Sequence, residues 1–473
     1  MLFPPCHSRT FLPGVALAAL SGSLSGGLQG QTREAVLEGE LKSLRERLEK
    51  LENVAESRKN PGASDVEADR PPAAEGTANH AELPGASPWE REGLETPAPL
   101  RGVYDKPFLT SLWRQVHLGG YTELEYHSFE DGILGIPEGF RMHRTNLFLF
   151  ADILDKVRFG SELEFETEFE GNPSSDIGVA VEMAFIDWVL FEEFKVRGGA
   201  LLVPLGRINV NHDGPIRELT ERPLVSTFVI PTTLTEAGVG AHGRIAATES
   251  LSFGYELYAV NGFNLLGENG ELAVDPVEKE QLLREGRTSL GGDINSGLAS
   301  TGRLSAQVFK HLEIGGSWHV GTYDEKGDNV LAIIAGDAAL VQTIGPAKLG
   351  LEAEIATSEF ERDDFAKGAG VPDRFWGYYV QGSLGGMPEL FKSVPHVFAG
   401  EGSMFNLVLR YDWVDLDGDQ GEAIEPGITF RPVTDSVFKF SYKFTQKSLG
   451  LRNIPGRVHF DDDGFVFSFS TYF

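Results

Sequence analysis

The stretch KVRFGSELEFETEFE, residues 156–170, decides the fold. Phe159, Leu163, Phe165 and Phe169 fall on one side of an extended chain, and Glu162, Glu164, Glu166, Glu168 and Glu170 on the other. A two-residue period is the mark of a strand with two unlike faces. A row of glutamates without partners cannot be buried in a packed apolar core. Water must therefore meet one face, and the other needs an apolar medium. GFVFSFSTYF, residues 464–473, repeats the pattern: Phe465, Phe467, Phe469 and Phe473 make the apolar stripe, with Thr471 as its gap and Ser468 and Ser470 between.

Working outward, similar runs continue from about Val116 to the end. Sixteen strands are expected, at 116–129, 140–151, 157–169, 178–189, 195–205, 235–246, 251–261, 299–309, 312–322, 329–341, 347–358, 374–386, 403–415, 425–431, 436–446 and 464–473. Their connections alternate. DILDK, FEEF, TES, KH, TIGP and PVTD are tight, whereas EDGILGIPEG, GNPSSD, Gly206–Leu234 and Gly262–Leu298 are long; GMPELFKSVPHVFAGEG is long where a tight turn is due. Sorting of loops by parity belongs to an up-and-down barrel in a membrane, not to a sandwich. Trp188, Trp376, Tyr378, Tyr411, Trp413 and Tyr472 lie near strand ends, where interfacial aromatic belts would fall. The fold expected is all-β: an antiparallel up-and-down transmembrane β-barrel of about sixteen strands.

Composition supports this and excludes other classes. No apolar run approaches the roughly 18–20 residues of a membrane helix, which leaves membrane strands open. Asp and Glu number 70 against 41 Lys and Arg, for a net charge of −29, which argues against a nucleic-acid partner. The single cysteine, Cys6, lies in a leader with a charged, then apolar, then small-residue order, expected to be a signal peptide over residues 1–30. Leu37, Leu41, Leu44, Leu48 and Leu51 follow heptad spacing within 33–58, a coiled-coil helix that a partner would stabilise. Residues 59–115 are a Pro/Ala/Glu-rich linker, and 116–473 form the barrel.

LGGYTELEYHSFEDG, FRMHRTNLFLFADILDKVRFGSELEFE, MAFIDWVLFEEFKVRGGALLVPLG, ELTERPL and LVLRYDWVDLDGD, in this order and with a final Phe, resemble the phosphate-selective porin O and P family of Gram-negative outer membranes. The resemblance covers roughly 116–473. It implies a sixteen-stranded homotrimeric porin, in some members with an N-terminal coiled coil supporting the trimer, and a C-terminal Phe of the kind read by the outer-membrane insertion machinery. It also implies a third long loop that helps form the constriction. The chain departs from a basic phosphate ladder: Lys195, Arg197, Arg410, Lys439 and Lys443 on the expected inward face are accompanied by Glu162 to Glu170, Glu256, Glu352 and Glu354.

Within Gly206–Leu234 the candidate constriction residues are Arg207, His212, Asp213, Arg217, Glu218, Glu221 and Arg222, whose mixed charges would set a transverse field across a narrow pore. Local pairing of Arg217 with Glu221 at helical spacing is the competing reading. DLDGDQGE, Asp415–Glu422, fails the EF-hand pattern and is expected to be an exposed acidic loop. No nucleophile elbow, HExxH or phosphate loop is present, so no catalysis, cofactor or metal is expected. His117, His127 and His143 read as strand residues. The function expected is passive diffusion of small polar or charged solutes, the partners being the lipid bilayer, lipopolysaccharide and two further copies of the chain. The alternative is a plugged barrel acting as an anchor, with the coiled coil as a periplasmic spacer.

Overall fold

The computed structural model describes residues 110–113, 116–129, 138–154, 156–167, 177–191, 193–273, 281–288, 297–309, 311–392, 402–447 and 463–473, with 290, 291, 295 and 394 between them. The signal peptide, the coiled-coil leucines, the linker up to residue 109, and Glu168, Phe169 and Glu170 lie outside the described residues.

Sixteen antiparallel strands close into a ring. They are β2 (Val116–Phe129), β3 (Gly139–Leu154), β4 (Val157–Thr167), β5 (Ile177–Phe191), β6 (Phe194–Leu202), β7 (Thr235–Thr248), β8 (Leu251–Val260), β9 (Ala299–Val308), β10 (Leu312–Thr322), β11 (Val330–Ile344), β12 (Ala347–Phe360), β13 (Arg374–Gly386), β14 (Met404–Leu416), β15 (Asp419–Val433), β16 (Ser436–Lys447) and β17 (Gly464–Tyr472). Each pairs with its sequence neighbour, and β17 pairs with β2, so no edge of this ring is left open. A short strand not expected from the sequence, β1 (Thr110–Trp113), pairs with the start of β2.

Alternation is translated directly into an inside and an outside. On β17, Val466, Ser468, Ser470 and Tyr472 are buried inward, while Phe465 and Phe467 turn outward. The outer surface carries Ile186, Val239, Ile334, Ile355, Val380 and Leu409 among many exposed apolar residues, which suits acyl chains and not water. Trp376, Tyr378, Tyr411 and Trp413 cluster with ring centroids 4.3 to 6.5 Å apart, and Trp188 is exposed, as an aromatic belt requires. Tyr472, expected in that belt, points inward instead because it is one residue out of phase with the Phe stripe.

The acidic-loop reading of DLDGDQGE is corrected. Leu416 pairs with Asp419, and Asp417 (φ 56°) and Gly418 (φ 95°) form a two-residue turn, so β15 begins six residues earlier than expected. Pro426 hid the strand: it offers no N–H, and the β15–β16 ladder lapses between Ile424 and Gly427.

The interior is only partly wet. The third long loop, with a π-turn at Val225–Val229, and the fourth, with a helical turn α1 (Leu282–Glu285), pack apolar side chains against β11–β15. Leu205, Val225, Phe228, Ile230, Leu265, Leu266, Leu282 and Leu283 join Leu331, Ile333, Phe360, Phe375, Tyr379 and Val414 in one buried cluster. Each such side chain is worth about 1.5–3 kcal/mol when buried. This dry half of the lumen was not expected.

Candidate functional site

The third long loop leaves the wall through Gly206, whose φ of +70° turns the chain inward, and an added Cβ there would lie 2.6 Å from Ile230 Cδ1. Its N–H donates to Ser317 Oγ on β10 (2.8 Å). Glu354 on β12 then accepts the N–H groups of Arg207 and, at 3.4 Å, Ile208, together with the hydroxyl of Ser226 at 3.2 Å. Ser358 Oγ donates to Val229 O (2.9 Å), and Leu224 N–H donates to Asp412 Oδ1 on β14 (3.2 Å). On the opposite wall Tyr472 donates to Asp213 (2.8 Å), and Thr220 and Ser468 hydroxyls meet at 2.8 Å. The loop thus crosses the lumen and is tied to it on several sides. Gly214 presses against Glu123: a Cβ there would sit 2.6 Å from its Oε1.

All seven candidate loop residues lie in the lumen, with different roles. Arg207 Nε donates to Glu352 (3.1 Å), and Nη1 lies 3.7 Å from Glu313. His212 holds Asn209 O at 3.0 Å through Nδ1 and Glu182 at 3.3 Å through Nε2. Arg217 does not pair with Glu221 as local spacing suggested; it donates to the carbonyls of His212 (3.1 Å) and Thr220, with Nη2 3.7 Å from Glu123. Glu218 accepts from Asn406 and Thr429 (both 3.0 Å) and Arg431 (3.2 Å), which makes it an anchor. Glu221 accepts Arg410 on its backbone (2.8 Å), and its carboxylate, 23% exposed, is 3.9 Å from His127. Arg222 donates to Thr232 O (2.7 Å) and Thr233 Oγ1 (3.3 Å). Burial, then Arg144, Arg217 and Arg284, hold its pKa below the usual arginine value.

Among the described wall residues, most of the cations are spoken for. Arg197 makes a two-pronged pair with Asp187 (2.6 and 2.5 Å), and Arg410 pairs with Asp412 (2.7 Å) and Glu425 (2.5 Å). Lys439 Nζ reaches Glu123 (3.2 Å) from β16 because β17 presents only Ser468 and Ser470 between them. Lys195 and Lys443 are buried on the inner face. Glu164 pairs with Arg144 (3.2 Å), and Glu162 accepts Asn146 Nδ2 (2.8 Å). Glu166, with its side chain 41% exposed, lies 3.7 Å from His143. His117, His127 and His143 are inward strand residues.

Sequence reasoning missed Glu123, Glu125, Arg141, Arg144, Asn146 and Glu182. Two bulges explain some of these. One skips His143 opposite Glu123–Leu124, so that His143 and Arg144 both turn inward; the other skips Glu182 opposite Glu162–Leu163, so that Glu182 and Met183 do the same. Strict parity assigns one of each pair outward. Several charges keep partial water contact: Glu166, Glu221, Arg141 (17% exposed) and Glu352 (20%). A cavity of about 40 Å³ lies between the loop and β12–β14, lined by Arg207, Glu221, Glu352 and Arg410 among others, enough for a water or two.

Two side-chain groups have metal-like spacing, their ligand atoms lying within 4.8 Å of one another: Glu123–Glu125–His143 and Glu162–Glu182–His212. The first is taken up by Arg141, Arg144, Arg217 and Lys439. In the second, Asn146 donates to both carboxylates at 2.8 Å.

No family model matches the chain. An uncharacterized protein of Aquifex aeolicus (strain VF5) is 31% identical over 280 residues, 56% of this chain and 60% of that protein, so the match spans less than two thirds of the relative. Among solved structures, the anion-selective porin from Comamonas acidovorans is similar at TM-score 0.46 and 14% identity, over 76% of this chain and 99% of its own. OmpF of Salmonella typhi, in complex with daunomycin, gives 0.45, 10%, 76% and 97%. The outer-membrane channel DcaP of Acinetobacter baumannii gives 0.43, 11%, 76% and 97%. At these scores the likenesses carry no argument.

Proposed function

We propose that the protein is an outer-membrane porin through which small polar or charged solutes diffuse passively, narrowed by the loop 206–234. The observation that carries this reading is the pairing of an apolar outer face with an inner face of ionisable residues, some still in contact with water where the loop crosses. An inserted loop with both charge signs sets a field across the passage, which orders dipolar solutes rather than binding one of them tightly. Assembly as a homotrimer, with residues 33–58 as a periplasmic coiled coil and lipid and lipopolysaccharide around the barrel, completes the proposal. Liposomes loaded with the folded protein and diluted into iso-osmotic neutral sugars test it. Swelling that slows as sugar size increases supports a size-limited pore. Swelling no faster than in protein-free liposomes, for every sugar, overturns it.

A further inference from the structure

Three arginines meet where the third and fourth long loops touch. Arg222 Nη1 and Arg284 Nη1 donate to the same oxygen, Thr232 O, at 2.7 and 3.3 Å. Arg287 Nη1 donates to Thr233 O (2.5 Å), and Arg222 Nη2 lies 3.3 Å from Thr233 Oγ1. Arg287 Nε donates to Arg284 O (2.8 Å). Two guanidinium nitrogens on one carbonyl oxygen cannot be farther apart than the sum of those distances, so like charges are packed side by side. Among the described residues none of the three makes an ion pair, unlike Arg197, Arg207, Arg303 and Arg410. Glu285, Glu164 and Glu166 act on this cluster without coming within ion-pair distance, and Glu164 already serves Arg144.

We propose that Arg222, Arg284 and Arg287 form a binding site for a small multivalent oxyanion, which staples the fourth long loop to the third. Carbonyl oxygens alone do not neutralise three cations; a divalent oxyanion accepts from several guanidinium forks at once and removes the repulsion. Each guanidinium carries five N–H groups, and the bonds named above use two on Arg222, two on Arg287 and one on Arg284, so donors remain. None of their nitrogens is both sealed and unbonded. The fourth loop has reason to be held here, because Leu282 and Leu283 on α1 flank Arg284 and join the buried cluster containing Phe228 and Ile230. The site is a fixed counter-ion position between two loops and does not depend on solute flow.

The test uses the folded full chain in detergent, free of phosphate and sulfate, titrated with sodium sulfate against sodium chloride of equal ionic strength by calorimetry. One saturable sulfate site per chain is expected, weakened by about tenfold in Arg284→Gln and in Arg287→Gln and less in Arg287→Lys, which keeps the charge. Absence of sulfate binding beyond chloride overturns the proposal, and so does sulfate binding that both glutamine variants leave unchanged. Should a variant fail to fold, selenate bound to wild-type crystals decides. An anomalous peak between the three guanidinium groups supports the site; no peak there overturns it. Neither readout requires an open pore, so failure here and failure of the porin reading are separate results.

Discussion

Replacing Glu354 by Ala removes the carboxylate on which the entry of the third loop hangs. Glu354 accepts the backbone of Arg207 and the hydroxyl of Ser226, with a longer contact from Ile208. Counting the two better bonds to a buried carboxylate at about 1.5–3 kcal/mol each gives a loss of roughly 3–6 kcal/mol for the inserted loop. The excursions of the loop away from the wall should become about two to four decades more frequent. Glu354→Gln keeps one acceptor and should lose only about 1–2 kcal/mol. Two assays read this out: open-channel current noise in a planar bilayer, and trypsin cleavage after Arg207 and Arg217 in folded protein. The expected order is wild type, Gln, Ala, in rising noise and rising cleavage. Wild-type noise and full trypsin resistance in Glu354→Ala would show that the loop does not depend on this carboxylate.

Three further outcomes are expected. Gly214→Leu places a side chain where even a Cβ lies 2.6 Å from Glu123, and should cost about 1–3 kcal/mol, seen as a lower temperature of loss of the compact band on unheated gels. Arg222→Glu reverses a charge at the loop edge beside Arg144, Arg217 and Arg284, and should move the reversal potential in a KCl gradient towards cation preference; an unmoved potential removes Arg222 from the permeation path. Deletion of residues 33–58 should leave the barrel folded but abolish heat-resistant trimers, as read by cross-linking and gel mobility.

Strand periodicity was legible nearly everywhere because the two sides of a membrane barrel differ so sharply in solvent. FGSELEFET and GFVFSFSTY show it without ambiguity, and β10 and β13 fall at the expected residues. β15 was obscured by one residue, Pro426, whose usual role as a breaker was overridden by pairing on the β14 side. The inward side of each strand was also legible until a bulge intervened, and a bulge leaves no mark in composition: His143–Arg144 and Glu182–Met183 show this. The loop was identified as inserted, but its division of labour was not. Glu218 is charged like Glu221, yet Arg431, Asn406 and Thr429 hold it to the wall while Glu221 retains contact with water. Such partners lie about 190 to 210 positions away along the chain, beyond any local pattern. The apolar filling of β11–β15 was hidden for the same reason, since Phe228 and Ile230 sit in a segment that also carries charge.

In the proposed porin, water runs through the barrel past the inserted loop. Single-channel recording of the folded full chain in a planar bilayer tests it most directly. Discrete ohmic steps arriving in groups of three, with a conductance that scales with KCl concentration, are expected. Folded, inserted protein that carries no current at any voltage short of bilayer breakdown would contradict it and leave a plugged anchor in its place.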